Sequence, residues 1–485
     1  ISPDGEIIDK IKLSHNIRDL SISPDSKTIY VSKFISDHHQ GTIYKINVDT
    51  FKLQEEIKIA TDFSLDTAVS GRGVPNYIGP VVISPNGKIA MVPSKKDNIF
   101  RGENIDGNDL NFENTVRSIV SVIDLESSKE LTNKRNDLND RSLPRDIVFS
   151  KYGDIYFVVS QGSNQVDVFE SNTNKFVTSF YVGDAPEAAI IDSTGTKFYV
   201  KNSLSRDIYI YDILDIVTGI SNSVDLVKTI STVKNEIMTA EVLRGKKIFY
   251  NASDTRMAQD GYISCATCHI EGTHDGQVYN FKNKGLRNTM SLLGLNNLED
   301  YKLNWSGDLD EIQDFENEIR DFFGGSGFMS DSNFSMYSNI AGKRKEGINQ
   351  DLDDLASYVM SLADPYRSPF RGEDGLLSES AKKGRILFKN KGCASCHSGK
   401  YFTDAKLYNL SDLSQHHKIK NNGDDITRVK TPSLMGIWST SPYLHDGSAN
   451  TLIDTLNIPN IDNQNDLNDL INFIKSIDQY EPEIR

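Results

Sequence analysis

The sequence predicts a multidomain fold, in which an all-β propeller that is incomplete at its N-terminal end is followed by two α-helical domains. Residues 1–235 contain short apolar runs separated by polar turns, with a repeated pattern and almost no helical period. After about residue 236 the apolar residues follow a helical period, and a second pattern occurs twice. We therefore expect domains at 1–235, 236–370 and 371–485, with the Pro- and Gly-rich segment DPYRSPFRGEDG linking the last two.

Four segments define the β repeat, and each has an apolar pair, a polar turn containing Gly or Asp, and a β-rich run. They are SISPDSKTIYVSKF from Ser21, VISPNGKIAMVPSK from Val82, VFSKYGDIYFVVSQ from Val148 and IIDSTGTKFYVKNS from Ile190. A unit of roughly 40 residues with several strands is typical of propeller blades, and these segments resemble YVTN-type propellers. The second unit carries two inserted loops, SGRGVPNYIGP and KKDNIFRGENIDGNDLNFENT. A generic β-sandwich is the alternative.

The helical pattern also repeats. AEVLRGKKIF, with Gly245 and Phe249, matches SAKKGRILF, with Gly384 and Phe388. Downstream, DLDDLASYVMSL matches DLNDLINFIKSI, and the apolar residues of both recur at i, i+3, i+7 and i+10, which is the stripe of an amphipathic helix. Each repeat therefore predicts an opening helix, intervening loops and a closing helix.

All four cysteines lie in two copies of C-x-x-C-H, one in each helical repeat. The copies are Cys265, Cys268 and His269, and Cys393, Cys396 and His397. The two thiols of such a motif add to the vinyl groups of a haem, and the histidine ligates the iron. Local disulfides or one Cys₄ zinc site are the alternatives. Because each cysteine pair has its own histidine, we expect two covalently bound haem c groups and two cytochrome c domains.

Composition and charge limit the kinds of partner and the cellular location that we expect for the protein. The chain has 38% hydrophobic and 25% charged residues, and no apolar run approaches the roughly 18 residues that span a bilayer. The first residues, ISPDGEIIDK, lack the features of a signal peptide, so we expect a processed or truncated chain. A net charge of −15 argues against nucleic acid. Such a surface attracts a basic redox partner, such as a small cytochrome or cupredoxin, and an acidic face that only aids solubility is the commoner alternative. Since c-type haems are attached outside the bacterial cytoplasm, we expect a periplasmic or extracellular protein.

Over residues 236–485 the chain resembles the bacterial dihaem cytochrome c peroxidase and MauG family. LRNTMSLLG followed by NWSG is similar to the family's RN-[ST]-P-T segment followed by FWDGR. KTPSLMGIWSTSPYLHDGSANTL follows the family's TPTLRN…T-x-PYFHDG…TL segment. The resemblance implies an oxidoreductase that takes peroxide as its small-molecule substrate.

The resemblance also assigns residues. Trp305 matches the tryptophan that relays electrons between the haems, although a core aromatic is the alternative. Asn288, Thr440 and Pro442 match positions that hold a calcium ion between the haem domains, and a simple turn is the alternative there. His445, in YLHDG, matches a histidine near the second haem; the resemblance implies that it contacts a propionate or supports a neighbouring group, and is not a ligand of the iron.

Two departures from the family concern the open faces of the haems. Pro459 stands where the family places a methionine or tyrosine ligand of the second haem. The sixth position of that iron is therefore open or filled from elsewhere. The candidates are Met435, Tyr443, His416 and His417.

At the first haem, the family's glutamine and glutamate fall on Phe315 and Gly325, neither of which transfers a proton. The run DLDEIQDFENEI offers three glutamates instead, and Glu316 is preferred over Glu311 and Glu318; a solvated helix face is the alternative. His274 lies too close to His269 in sequence to reach the opposite face of the haem easily.

The sequence thus predicts a dihaem peroxidase- or MauG-like enzyme that activates peroxide at the first haem and exchanges electrons with the second through Trp305. The propeller would serve as a docking module. The alternative is a non-enzymatic electron-transfer cytochrome with two six-coordinate irons. A third possibility, a propeller and dihaem fusion acting on small nitrogen compounds as in hydrazine synthase, rests on analogy of architecture.

Overall fold

The structure is a computed structural model that describes residues 4–37, 39–281, 284–294, 302–340, 342–413, 427–456 and 463–484. Within these residues the first half of the chain forms antiparallel sheets, and the second half is mainly helical. No helix in this described part is long and apolar enough to cross a bilayer.

Four antiparallel sheets follow one another along the first half, three of them with four strands and the second with six. The first contains β1 (Ile17–Ile22), β2 (Thr28–Lys33), β3 (Gln40–Asn47) and β4 (Lys52–Ala60). The second contains β5 (Val74–Asn76), β6 (Val82–Ile83), β7 (Ile89–Asp97), β8 (Val116–Asp124), β9 (Lys129–Glu130) and β10 (Asn136–Leu138). The third contains β11 (Pro144–Phe149), β12 (Ile155–Ser160), β13 (Gln165–Glu170) and β14 (Phe176–Tyr181). The fourth contains β15 (Pro186–Ile191), β16 (Lys197–Asn202), β17 (Asp207–Asp212) and β18 (Asp225–Ser231).

The apolar residues of these strands form cores between successive sheets. Ile43 of the first sheet and Val92 of the second share one core. A further core joins the second and third sheets, and Phe157 of the third sheet stacks on Phe198 of the fourth with ring centroids 5.0 Å apart. A sandwich has one core between two sheets, whereas here each neighbouring pair of sheets has its own. The predicted all-β propeller is therefore confirmed, with one sheet for each repeated segment.

The helices are short in the first half and longer in the second. They are α1 (Glu103–Asp106), α2 (Phe112–Thr115), α3 (Leu214–Thr218), α4 (Ala240–Tyr250), α5 (Cys265–His269), α6 (Phe315–Asp321), α7 (Asp331–Tyr337), α8 (Gln350–Met360), α9 (Glu379–Asn390), α10 (Leu410–Leu413) and α11 (Gln464–Lys475). Turns of 3₁₀ helix span Thr132–Lys134, Gln259–Gly261, Ile270–Gly272, Ile312–Asp314, Cys393–Ser395, Ile437–Ser439 and Ile453–Thr455. Two hairpins complete the fold, β19 (Val278–Phe281) with β20 (Gly285–Asn288) and β21 (Leu407–Asn409) with β22 (Arg428–Lys430).

The predicted helical repeat forms two matching helix pairs, α4 with α8 and α9 with α11. In the first pair, a Cβ atom on Gly245 would lie 1.8 Å from the carbonyl oxygen of Asp354, and Phe249 meets Tyr358 edge to face at 5.0 Å. In the second pair, a Cβ atom on Gly384 would lie 1.9 Å from the carbonyl oxygen of Asp469, and the rings of Phe388 and Phe473 meet with centroids 5.3 Å apart. Glycine at this position lets two helix backbones touch, and the phenylalanine one turn later fills the gap beside them.

Side-chain caps set where these helices begin. Thr239, Ser378, Asn349 and Asn463 each accept a hydrogen bond from a backbone N–H of the first turn. Of the apolar stripe predicted for the closing helices, six residues are buried and two are half-buried: Leu352, Leu355, Val359, Leu470, Ile474 and Ile477 are the buried ones, and Leu362 and Leu467 the half-buried ones.

The propeller and the first helical segment share one hydrophobic core. Phe34, Tyr77 and Leu143, which adjoin strands of the propeller, pack in the same cluster as Phe249 and Ile270. The first C-x-x-C-H segment therefore rests directly on one face of the propeller.

Candidate functional site

The first C-x-x-C-H motif forms helix α5. At its start the backbone N–H of Ser264 donates to Oγ1 of Thr267 at 2.9 Å, and N–H of Thr267 donates to the Ser264 carbonyl at 3.0 Å. Residues three apart share a helix face, so Cys265 and Cys268 lie on one side of the turn.

The second motif forms the 3₁₀ turn Cys393–Ser395. It follows Gly392, whose φ of 80° is the left-handed conformation that glycine adopts without strain. The backbone N–H of His397 donates to the carbonyl of Cys393 at 2.9 Å, which closes the turn.

The alternatives to haem do not fit this arrangement. None of the four cysteines forms a disulfide. Within the described residues, the only group of three or more His, Cys, Asp or Glu side chains with metal-ligand spacing is Asp310, Glu311 and Asp314. The cysteines therefore do not converge on a Cys₄ zinc site. Within the acidic group, Asp314 forms an ion pair with buried Lys345, whose Nζ lies 2.6 Å away.

Both motif histidines are held in the same way. Nδ1 of His269 lies 3.2 Å from the carbonyl oxygen of Thr273, and Nδ1 of His397 lies 3.0 Å from that of Phe402. A carbonyl oxygen only accepts, so Nδ1 carries the proton and Nε2 carries the lone pair that a metal binds. Burial lowers the pKa of His269, which favours its neutral, ligating form.

One cavity of about 700 Å³ is lined by both motifs. Its wall on the side of the first motif is mainly aromatic and aliphatic: Phe249, Phe281, Phe315, Ile319, Phe322 and Val359. The wall on the side of the second motif is similar: Phe388, Tyr401, Met435, Leu452, Leu456 and Ile474. An apolar cavity that contains two cysteine pairs and two oriented histidines suits a pair of apolar macrocycles.

Trp305 lies in the wall that the two helical segments share. Its Nε1–H donates to the carbonyl of Asn288 at 2.8 Å, and its own carbonyl accepts from N–H of Lys430 at 2.9 Å. Its ring meets the buried ring of His445 at a centroid distance of 6.4 Å. The structure therefore brings Trp305 and His445 together in the cavity wall.

The three residues predicted to bind calcium lie together in the same wall. Nδ2 of Asn288 donates to the carbonyls of Pro442 at 2.6 Å and Leu444 at 3.1 Å, and Thr440 also lines the cavity. Oδ1 of Asn288 is buried without a hydrogen-bond partner. If the amide is turned by half a turn, Oδ1 joins the two carbonyl oxygens, an arrangement that a hard cation stabilises. The residues therefore fit a calcium ion.

Of the three glutamates predicted near the first haem, Glu318 is the one in the cavity wall. Its carboxylate accepts a hydrogen bond from Nζ of Lys284, which also lines the cavity. Burial raises the pKa of Glu318 above its ordinary value, against the opposing charge of Lys284. Such a carboxyl group keeps its proton to a higher pH than an exposed glutamate does, which favours a role in proton transfer.

Glu316 lies elsewhere. It is fully buried, and its carboxylate accepts hydrogen bonds from Nε of Arg320 at 2.8 Å and from the backbone N–H groups of Phe328 and Met329 at 2.9 and 3.1 Å. Glu311 belongs to the acidic group beside Lys345. Glu316, the residue that the sequence favoured for proton transfer, therefore binds the loop that follows α6. Of the three glutamates, it is Glu318 whose position in the cavity wall suits that role.

Some of the other residues considered as haem ligands or pocket residues line the cavity, and another lies outside it. Met435 and Tyr443 line the cavity, and burial raises the pKa of Tyr443 to about 12. Nε2 of His274 donates to the carbonyl of Ser439 at 2.7 Å and its Nδ1 accepts from N–H of Gly276, so it joins the two helical segments. His416, His417 and Pro459 lie outside the described residues.

Sequence reasoning missed two residues at the site. Lys430 is 1% exposed, lines the cavity and donates from Nζ to the carbonyl of Lys302 at 2.6 Å; burial lowers its pKa to about 7. Its position directly before the TPSL motif could have identified Lys430 as a residue of the site. The hydroxyl of Tyr77, in the propeller, donates to the carbonyl of Cys268 at 3.0 Å. No local sequence pattern predicts that contact.

Comparisons with known proteins find relatives that are named as cytochrome c peroxidases and MauG proteins. A family profile described as RoxA-like, cytochrome c-like matches residues 430–460. Hydrazine synthase subunit gamma of Kuenenia stuttgartiensis is 27% identical over 297 residues, covering 50% of this chain and 80% of that protein. Cytochrome-c peroxidase IdrP1 of Denitromonas iodatirespirans is 26% identical over 270 residues, covering 44% and 71%. Methylamine utilization protein MauG of Methylophilus methylotrophus is 26% identical over 238 residues, covering 44% and 70%.

The predicted resemblance to dihaem cytochrome c peroxidases and MauG is confirmed by these relatives. They agree with the predicted class of oxidoreductase. The subunit of hydrazine synthase is a further relative, which the sequence suggested only by analogy of architecture.

Proposed function

We propose that the chain is a dihaem c-type oxidoreductase of the peroxidase or MauG type. Cys265 and Cys268 attach the first haem with His269 as its ligand, and Cys393, Cys396 and His397 hold the second. The observation that supports this most directly is the shared orientation of the two histidines, each fixed through Nδ1 to a carbonyl within one apolar cavity. The domains are proposed at 1–235, 236–370 and 371–485.

Haem bound at these motifs supplies redox-active iron. The chain supplies the proton chemistry and the apolar enclosure. Glu318 accepts a proton from one oxygen of hydrogen peroxide and returns it to the other oxygen as the O–O bond breaks. Lys284 holds the carboxylate in place, and Phe281 and Phe322 limit the access of water. With two electrons and two protons, hydrogen peroxide gives two molecules of water.

Trp305 provides the proposed path for electrons between the two halves of the cavity. Its indole is fixed by Asn288, its backbone by Lys430, and its ring lies beside His445. The proposed calcium ion at Asn288, Thr440 and Pro442 ties the same wall to the second helical domain.

The proposed setting is the periplasm or the cell exterior, where c-type haems are attached. The net charge of −15 favours a basic electron donor, such as a small cytochrome or cupredoxin.

The test has two stages. Haem content is measured first on the full chain produced in a host that attaches c-type haem; two haems per chain are expected, and one in a Cys265→Ala/Cys268→Ala variant. Electron paramagnetic resonance and visible spectra are then recorded before and after adding hydrogen peroxide. A high-spin ferric signal that peroxide consumes supports the enzyme. Two low-spin haems that peroxide leaves unchanged favour an electron-transfer cytochrome.

A further inference from the structure

We propose that the propeller sets the reduction potential of the first haem through a buried charge cluster formed by Lys95 and Asp97 of the propeller and Asp275 of the first haem segment. This inference rests on the proposed attachment of a haem at Cys265 and Cys268. It gives the propeller a role inside the redox centre, in addition to any docking role.

The first step in the argument is that the propeller touches the haem-binding motif itself. The hydroxyl of Tyr77 donates to the carbonyl of Cys268 at 3.0 Å, and the Tyr77 ring stacks on Phe34 with centroids 4.6 Å apart. Both rings belong to the core that contains Ala266 and Ile270. The backbone of the motif is therefore positioned by propeller side chains.

The second step is the cluster beside this contact. Nζ of Lys95 lies 2.8 Å from Asp275 and 2.9 Å from Asp97, and the side chains of all three are at most 1% exposed. Nδ2 of Asn76 donates to Asp97 at 2.7 Å and to the Asp275 carbonyl at 2.8 Å. One ammonium group and two carboxylates leave one net negative charge in a site from which water is excluded.

The third step is that the cluster reaches the cavity. The hydroxyl of Tyr279 donates to Asp275 at 2.8 Å, and Tyr279 lines the cavity together with Cys268. Lys95 Nζ also lies 4.3 Å from the centre of the Tyr77 ring. The carboxylate of Asp275 is thus linked to the cavity wall through one side chain, that of Tyr279.

Electrostatics then gives the direction of the effect. A buried negative charge is weakly screened and stabilises the more positive, oxidised state of a nearby haem, so it lowers the reduction potential. Burying three charged groups is costly, and apolar side chains of similar volume often stabilise a fold as well or better. A charge cluster at this place is therefore better explained by its effect on the cavity than by stability.

Four of these propeller residues lie in the two segments that the sequence predicts as inserted loops of the second repeat; in the structure, Lys95 and Asp97 belong to strand β7. Asn76 and Tyr77 lie in SGRGVPNYIGP, and Lys95 and Asp97 lie at the start of KKDNIFRGENIDGNDLNFENT. Farther along the latter loop, Gly102 lies against Asn280 of β19, so that a Cβ atom there would meet the Asn280 side chain at 2.5 Å. Both insertions therefore contact the first haem segment.

The experiment is a spectroelectrochemical titration of the two-haem protein and of Asp97→Asn, which removes one negative charge and keeps the size of the side chain. We expect one of the two midpoint potentials to rise, so that a several-fold larger fraction of that haem is reduced at a fixed potential, while the other potential stays unchanged. Asp275→Asn removes a negative charge of the same cluster from the first haem segment and should raise the same potential. It serves as the second variant if Asp97→Asn does not fold.

The matched control is Asp137→Asn. Asp137 pairs at 3.0 Å with Lys96, a fully buried lysine adjacent to Lys95 on β7 whose side chain points to the opposite face of the sheet. This variant should leave both potentials unchanged. Unchanged potentials in both Asp97→Asn and Asp275→Asn, or an equal shift in Asp137→Asn, would overturn the inference. Haem content of the wild-type chain, measured first, separates this failure from failure of the proposed function, since a chain without covalent haem contradicts the latter.

Discussion

Glu318 and Lys284 form a hydrogen-bonded ion pair in the wall of the cavity that contains both C-x-x-C-H motifs. Glu316, only two residues earlier in the same helix, points away and is held by Arg320 and two backbone N–H groups. Within one turn of this short helix, two different faces thus present a carboxylate that faces the cavity and one that supports the loop behind it.

This separation predicts different results for two matched substitutions. Glu318→Gln should lower kcat for peroxide by about 10²–10⁴-fold, because general acid–base catalysis contributes that much, with haem content unchanged. Glu316→Gln should leave kcat of the folded protein within about twofold and lower the free energy of unfolding by about 1–3 kcal/mol through its buried hydrogen bonds. Steady-state kinetics and urea unfolding measure the two effects, and a reversed pattern would contradict the assignment.

Trp305→Phe should slow electron exchange between the haems, since it removes the indole and its hydrogen bond to Asn288. The loss of one hydrogen bond costs only about 1 kcal/mol of stability, so folding and haem content should persist. Trp438, the other tryptophan of the chain, does not line the cavity. Stopped-flow reduction of both variants is the measurement, and equal exchange rates in Trp305→Phe and Trp438→Phe would exclude the relay.

Lys430 predicts a pH dependence of stability. Its pKa is lowered by burial to about 7, whereas an unfolded lysine has a pKa of about 10.4. The unfolded chain therefore binds more protons between these values, and this residue makes stability rise as pH rises from about 7 to about 10. In Lys430→Met that contribution should disappear and stability at pH 6 should increase. Exposed Lys389, replaced in the same way, should show no pH-dependent difference in urea midpoint.

Gly245→Ala should destabilise the first helical domain by about 3 kcal/mol or more, because the new methyl group overlaps the backbone of α8. Gly219→Ala provides the comparison: Gly219 has a φ of 71° but open space around it, so it should cost only about 1–2 kcal/mol. Thermal unfolding followed at the haem absorbance distinguishes the two variants. Similar losses of stability in Gly245→Ala and Gly219→Ala would contradict a steric origin of the effect at Gly245.

Calcium binding is tested by isothermal titration calorimetry after treatment with a chelator. Asn288→Ala should weaken the affinity at least tenfold, since it removes the one side-chain oxygen of the proposed set. Asn280→Ala, at another buried asparagine of the same hairpin, should leave the affinity unchanged. A wild-type chain that takes up no calcium at millimolar concentration would disprove the site.

The repeat of helix pairs was predictable because its signals are local. Gly245 and Phe249, one turn apart, recur as Gly384 and Phe388, and the contacts that they make in α4–α8 and α9–α11 are the same. Propeller sheets were predictable for a similar reason, since each blade is a meander of consecutive strands. The choice among Glu311, Glu316 and Glu318 could not be predicted, because a difference of two positions, from Glu316 to Glu318, decides whether a carboxylate faces the loop or the cavity.

The sequence by itself determined which residues have the chemistry of haem attachment, because C-x-x-C-H brings two thiols and an imidazole together within five consecutive residues. It also determined the order of the propeller and the helical repeats, which follow from short periodic patterns. Only the tertiary structure decided what surrounds the motifs. Tyr77 and Lys95 are separated from Cys268 and Asp275 by 191 and 180 positions, and contacts over such distances arise from the packing of one domain on another, which no local pattern encodes.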